Sequence, residues 1–242
     1  MSDPRLNFLP WDSEFFGIRV GRFLPPRLKQ DDLPIVQDWT RQNAIDCLYF
    51  LAEPRFPETL AAAHQGGFKF VDSRVEFELP EAQLATLETQ TSSAVRPATA
   101  EDESVILSIA RTVHTNTRFF KDSMFRRERS AELYAEWLRG ALRDPGQAVF
   151  VSVDQANVAR GYVSCGVAGT SGRIGLIGVE ESFRGHGFAS RLLHGANLWC
   201  AAHGARTVHV ASQADNSAAA NLYSAAGFRQ TSIAVWFHRW SV

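Results

Sequence analysis

Residues 173–200 read RIGLIGVEESFRGHGFASRLLHGANLWC. An apolar run ends at Val179, a short turn follows, and Arg184-Gly185-His186-Gly187-Phe188-Ala189 leads into an amphipathic pattern that Gly204 stops. The spacing predicts a strand over Arg173–Val179 and a helix from Gly187 to His203. Two glycines before a helix let backbone N–H groups converge on one concavity, which suits a phosphate or diphosphate. Arg184 adds a charge. No Gly-Lys-Ser/Thr follows, and the third glycine of a dinucleotide fingerprint is missing. By itself the pattern serves equally well as an ordinary helix start.

Working outward, the chain downstream predicts a strand at Arg206–Ser212, a helix at Ser217–Ala226 stopped by Gly227, and an extended segment at Phe228–Trp240. Upstream, strands are expected at Val95–Arg96, Ala148–Val153 and Arg160–Gly166. Thr99 with Asp102 forms a capping pair that opens a helix to Val113. Leu133, Tyr134, Trp137, Leu138, Ala141 and Leu142 recur with helical spacing over Arg129–Arg143. The order β-α-α-β-β-β-α-β-α-β describes an α/β (α+β) fold on a mixed sheet.

The Ser/Thr-rich stretch Glu81–Ala94 reads as a linker between a small α/β domain, residues 1–80, and a larger one, residues 95–242. The smaller part follows a fainter β-α-β-α-β pattern. Gly67, Phe68, Lys69, Val75 and Phe77 precede Gly227, Phe228, Arg229, Val235 and Phe237 by a constant interval, which allows a degenerate half-repeat. Hydrophobic residues make up 45% of the 242 residues, and 25 Lys+Arg stand against 26 Asp+Glu. That balance suits a globular chain and argues against a nucleic-acid partner. Cys47, Cys165 and Cys200 lie far apart, with neither metal-ligand nor disulfide spacing, so no metal is expected and a reducing, cytoplasmic setting is. No signal segment and no membrane span are expected either.

Arg184, Gly187 and Ala189, followed by Asn216, Ala219, Leu222, Tyr223, Gly227 and Phe228, resemble the two motifs of the GNAT superfamily of acetyl-CoA-dependent N-acetyltransferases. The resemblance runs from Val95 to Trp240. It implies a sheet whose strands ending at Val179 and Ser212 splay apart, with the pantetheine arm of acetyl-CoA between them. Ile177, Gly178 and Val179 would meet that arm. Arg184, Gly185, His186, Gly187, Phe188, Ala189 and Ser190 would hold the pyrophosphate. Asn216 and Ala219 would border the pantetheine, and Tyr223 would protonate the departing thiolate. No general base is evident. Glu180 and Glu181 read as turn acids, and His209 and the His186 side chain as bystanders.

Further segments resemble family members that acetylate a nucleotide-linked amino sugar: residues 11–17 (WDSEFFG), Thr117-Arg118-Phe119, residues 134–137 (YAEW) and residues 173–176 (RIGL). They imply a small-molecule acceptor amine, with Arg118 and Phe119 as candidate acceptor-binding residues. Residues 118–129 (RFFKDSMFRRER) carry five basic side chains against two acids. Such a stretch suits an anionic diphosphate, or is simply a solvated helix connection. The alternatives left open are the same fold acting on another amine (a protein N-terminus, a lysine or an antibiotic) and a CoA-binding module without catalysis. A homodimer is compatible with either.

Overall fold

The computed structural model describes residues 3–88 and 94–241. Ten strands among these residues form one mixed sheet: Leu6–Phe8 (β1), Val20–Phe23 (β2), Cys47–Ala52 (β3), Lys69–Leu79 (β4), Val95–Pro97 (β5), Gln147–Val153 (β6), Ala159–Ala168 (β7), Ser171–Val179 (β8), Thr207–Gln213 (β9) and Arg229–Trp240 (β10). Their order is β1-β2-β3-β10-β4-β9-β8-β7-β6-β5. The last strand is thus inserted between β3 and β4, so the sheet is continuous between the first 80 residues and the rest of the chain. The helices are Pro10–Phe16 (α1), Leu33–Gln42 (α2), Pro57–Gln65 (α3), Glu81–Leu84 (α4), Glu103–Val113 (α5), Arg118–Lys121 (α6), Arg127–Arg143 (α7), Phe188–Ala202 (α8) and Ser217–Ala225 (α9).

Alternation along the strands assigns the two faces. Val149, Val151 and Val153 pack with Ile106, Leu133 and Leu138 of α5 and α7. Ala148 and Phe150 turn the other way, toward Leu192, Leu193 and Ala196 of α8. A third cluster, with Phe23, Trp39, Phe50, Phe68 and Phe237, ties α2 and α3 to the shared sheet. Thr99 N–H donates to Asp102 Oδ2 at 2.8 Å, and the capping pair stands as expected.

Some elements exceed the sequence reading. The first 80 residues hold four strands and three helices; β1 and α1 are too short for periodicity to register. Part of the expected linker is α4, where Glu81 bonds Arg206 through both carboxylate oxygens and Leu84 is buried. Residues 89–93 of that linker lie outside the described residues. Gly67 and Gly227 both take positive φ, 77° and 87°, and each precedes a buried Phe and a long strand. Those strands, β4 and β10, pair antiparallel.

The feature that shapes the molecule is a fork. Strands β8 and β9 run parallel and pair only at Ser171–Arg173 with Thr207–His209. Beyond that, β8 stays with β7 as far as Val179, and β9 stays with β4 as far as Gln213. The β7–β8 register shifts between Val163 and Cys165, so Gly175 and Leu176 share one opposing residue, Ser164. Ser164 Oγ accepts the Leu176 N–H at 2.9 Å. A bulge of this kind bends its strand and increases local twist. Glycine is required on this strand: a Cβ at Gly178 would stand 2.7 Å from Val113 Cγ2, and one at Gly175 would stand 2.7 Å from Ser164 Oγ.

Gly178→Ala is therefore expected to destabilise the fold by about 1–3 kcal/mol through overpacking. Gly140→Ala, inside α7 where a Cβ meets nothing within 4 Å, is expected to stabilise by about 0.5–1 kcal/mol. Chemical denaturation of the two variants checks both signs.

Candidate functional site

The fork opens a cleft of about 940 Å³. One wall is the edge of β8 from Arg173 to Val179 and the other is Val210–Gln213 of β9. Because β8 bonds β7 on one side only beyond Arg173, its outer row of N–H and C=O groups faces the cleft without a strand partner. Backbone groups in such a position require hydrogen bonds from a ligand or from water. An extended, amide-bearing ligand arm meets that requirement as an added strand would.

At one end, Arg184, Gly185, Gly187, Phe188, Ala189 and Ser190 line the cleft. Gly185 and Gly187 have φ of 78° and 76°, a conformation that costs other residues free energy. Gly187 is the residue at which α8 begins, so the first amides of that helix have no carbonyl within it. His186 does not line this cleft. Its Nδ1 lies 2.9 Å from the Arg184 carbonyl, and its own carbonyl accepts from Arg191. Opposite, Asn216 Oδ1 caps α9 by accepting the Ala219 N–H at 3.1 Å. Asn216, Ala219 and Tyr223 all line the cleft. The Tyr223 ring is fixed between Phe77 and Phe228, with centroids at 5.4 and 5.8 Å. Its hydroxyl makes no hydrogen bond among the described residues, and burial raises its pKa, so it stays protonated.

At the other end Arg118 sits in an aromatic box. Its guanidinium lies 4.1 Å from the ring centres of Tyr49, Phe119 and Trp236. It donates to His238 Nε2 at 2.8 Å. A guanidinium only donates, so Nε2 is unprotonated and the ring proton is on Nδ1, which bonds Asp122 Oδ2 at 2.6 Å. Trp240 Nε1 donates to the same oxygen at 2.9 Å. Arg22 lies over Trp236 at 5.3 Å, and its Nε is buried without a partner. Its pKa is lowered first by desolvation and then by the charges of Arg118 and Arg74. Phe119 is 2% exposed and packed on Phe16, Phe125 and Tyr49. Its ring therefore serves as the floor under Arg118, while Trp236 and Trp137 line the cleft beside it. Of the five cations in residues 118–129, Arg126, Arg127 and Arg129 are exposed and do not line the cleft.

Two acids expected to be bystanders are elsewhere: Glu180 pairs with Arg160 at 3.1 Å, and Glu181 is exposed. His209 lies 3.8 Å from Glu78, also outside the cleft. The sequence reading missed Asp72, His114 and Asp215, which line it. An Asp within the strand-forming run FVDSRVEF is the signal that was available, since Asp is depleted in strands.

Residues 111–228 match the model of the Acetyltransferase (GNAT) family. Over those residues the chain is similar to a GNAT acetyltransferase domain. Along 96% of its length it is 28% identical to a dTDP-fucosamine acetyltransferase of Escherichia coli O6:H1, of which 96% is covered. Solved structures of like fold include a GCN5-related N-acetyltransferase from Sphaerobacter thermophilus, with a TM-score of 0.67 and 16% identity over 97% of this chain and 76% of that one. A tandem GNAT protein from the clavulanic acid biosynthesis pathway has a TM-score of 0.60 and 16% identity over 92% of this chain and 75% of that one. No described helix is long and apolar enough to cross a membrane.

Two histidines near this cleft are held neutral. Desolvation lowers His114 to about 4, and its Nε2 lies 2.6 Å from the Tyr162 hydroxyl. Desolvation also lowers His238 to about 4, against the bond to Asp122 that favours its charged form. Their folded-state values lie below the ordinary 6.5, so the unfolded chain binds more protons as the medium turns acid. The stabilisation is complete above the unfolded value and is lost as pH falls through the folded one. For fully buried His238 it amounts to about 3 kcal/mol. We expect the melting temperature to fall between about pH 6.5 and pH 4, and His238→Asn to fall less steeply over that window. Parallel slopes in thermal melts of the two proteins would contradict this.

Proposed function

We propose that this domain binds acetyl-CoA in the β8–β9 fork and transfers the acetyl group to the primary amine of a nucleotide-linked amino sugar. The acceptor class rests on the arginines. The charges of Arg118 and Arg74 both act against Arg22, Asp12 opposes them more weakly, and among the described residues neither Arg22 nor Arg118 has a carboxylate within ion-pairing distance. Half-buried guanidiniums held together in this way are relieved by an anion, which they grip bidentately. A diphosphate between nucleoside and sugar supplies that anion. The relative named for dTDP-fucosamine supports the same class.

For the donor, the unpaired edge of β8 suits the amides of pantetheine, and the amides at Gly187–Ser190 suit its pyrophosphate. A β8 N–H beside the reacting carbonyl would stabilise the tetrahedral oxyanion. Tyr223, protonated and free of other partners, supplies the proton to the departing thiolate.

An acetyl-CoA consumption assay over nucleotide amino sugars, aminoglycosides and peptides tests the reading. Turnover is expected with the nucleotide sugars; turnover confined to peptides or aminoglycosides would overturn the acceptor class. Arg118→Ala should raise the acceptor KM by roughly 10- to 150-fold, the loss of a charged hydrogen bond, and leave the acetyl-CoA KM near normal. Tyr223→Phe keeps the ring between Phe77 and Phe228 and removes one proton. Its kcat should fall about 10²-fold, the lower end for general-acid catalysis because a thiolate leaves readily. The Kd of acetyl-CoA, measured on the same folded variant, should be unchanged.

A further inference from the structure

We infer that Asp72 receives the ammonium group of the acceptor and removes the proton that blocks its attack. This rests on the acetyl-transfer reading above and supplies the base which that reading lacks. Asp72 stands on β4 opposite Trp236 and lines the cleft, with 3% of its surface exposed. One carboxylate oxygen is saturated: Oδ1 accepts Lys121 Nζ at 2.7 Å and the Ser73 N–H at 2.9 Å. Oδ2 accepts nothing among the described residues. That oxygen is open to the cleft, where a charged donor makes the strongest hydrogen bond.

The surrounding charges lead to the same ligand. Lys121, from α6, also donates to Asp215 Oδ2 at 2.9 Å, and Asn116 Nδ2 donates to Asp215 Oδ1 at 3.0 Å. Two carboxylates thus share one ammonium, and the group carries one negative charge that a second cation completes. The other groups facing Asp72 do not supply it. Arg74, two residues along the strand, is engaged by Glu76. Tyr134, from α7, is neutral, with its pKa raised by burial to about 12. His114 has Nε2 committed to Tyr162 and its ring stacked on Tyr134. Desolvation raises the Asp72 carboxyl above its usual range, opposed by Lys121. That shift narrows the gap between base and ammonium and so favours transfer.

The step balances as follows. The ammonium gives one proton to Asp72, and the neutral nitrogen attacks the thioester carbon. The C–N bond forms and the C–S bond breaks. The nitrogen's second proton passes to solvent, Tyr223 protonates the thiolate and regains a proton from solvent, and the proton on Asp72 passes to solvent. Acetamide, free thiol and one released proton result.

The test measures kcat at saturating acetyl-CoA and nucleotide amino sugar from about pH 6 to pH 9.5, because kcat reports groups in the bound complex. Wild type should be flat above about pH 7. Asp72→Asn, nearly isosteric, should be about 10²-fold slower near pH 7 and recover toward wild type near pH 9.5, as solvent deprotonates the amine. A deficit of equal size at every pH, or none, overturns the assignment. If the variant does not fold, the wild-type profile decides alone. A plateau supports proton removal within the complex; a tenfold rise per pH unit up to the amine's own pKa assigns it to solvent and overturns the proposal. Should wild type bind no acetyl-CoA by calorimetry and acetylate no amine, the acetyl-transfer reading itself fails. An active wild type with a pH-independent deficit removes only the role of Asp72.

Discussion

The site depends on two parallel strands ceasing to pair. Strands β8 and β9 hold each other for three residues, and each then follows its other neighbour. Hydrogen bonding alone would favour zipping the strands together, so something must oppose it. The bulge opposite Ser164 turns β8 with β7, and Gly175 and Gly178 leave no Cβ to resist the close approach of Ser164, Val113 and Tyr162. On the other side β9 is pinned to β4 over six residues, from Leu79 to Arg74. The result is an edge of unpaired backbone inside a cleft, a cost that a bound ligand removes.

The same pinning brings in the rest of the site. Because β4 is shared by β9 and β10, Asp72 and Arg74 reach the cleft from the first 80 residues, and Trp236 reaches it from the last strand. Arg118 is then aimed by buried groups. Asp122 would be raised by desolvation, but hydrogen bonds from His238 and Trp240 outweigh that and lower it, so it remains an anion that fixes the imidazole tautomer. The imidazole in turn presents an acceptor to Arg118, and three rings hold the guanidinium plane. A neutral histidine here orients the cation without cancelling its charge, leaving its remaining donors for an anion in the cleft.

What the sequence made legible was local. The strand, glycine turn and helix at 173–203, and the helix with Gly227 and Phe228 after it, are each specified by neighbours within about one helical turn or strand length, where pattern arguments are strongest. Arg118 was reached through its own tripeptide. The bulge was not legible, because register belongs to a pair of strands and the deciding partner, Ser164, is in β7. Asp72 was hidden for a similar reason. Its neighbours Lys121 and Asp215 are distant in sequence, and the pairing of β9 with β4 and the packing of α6 on β4 set the three together. Phe119, the other acceptor-binding candidate, lines the cleft but is buried by four aromatic neighbours, and Trp236 joins the same wall from the far end of the chain, where no local pattern could place it.

The charges of this wall are separated in a way that discriminates between acceptors. Arg22 and Arg118 have no carboxylate within ion-pairing distance, though Asp12 lies near enough to act on both, and Asp72 holds Lys121 through Oδ1 while its Oδ2 has no donor. Arg74 is taken by Glu76, and Lys121 is shared between Asp72 and Asp215. A polycation relieves Asp72 but meets the guanidiniums with like charge, which is costly in a half-buried setting. A phosphate alone relieves the arginines and leaves the carboxylate oxygen bare. In the reading proposed above, a ligand with an ammonium at one point and a diphosphate at another satisfies both, and a nucleotide amino sugar carries both on one covalent frame. Discrimination then comes from the penalty of leaving a buried charge unpaired rather than from added attraction, which is where polar sites select most strongly.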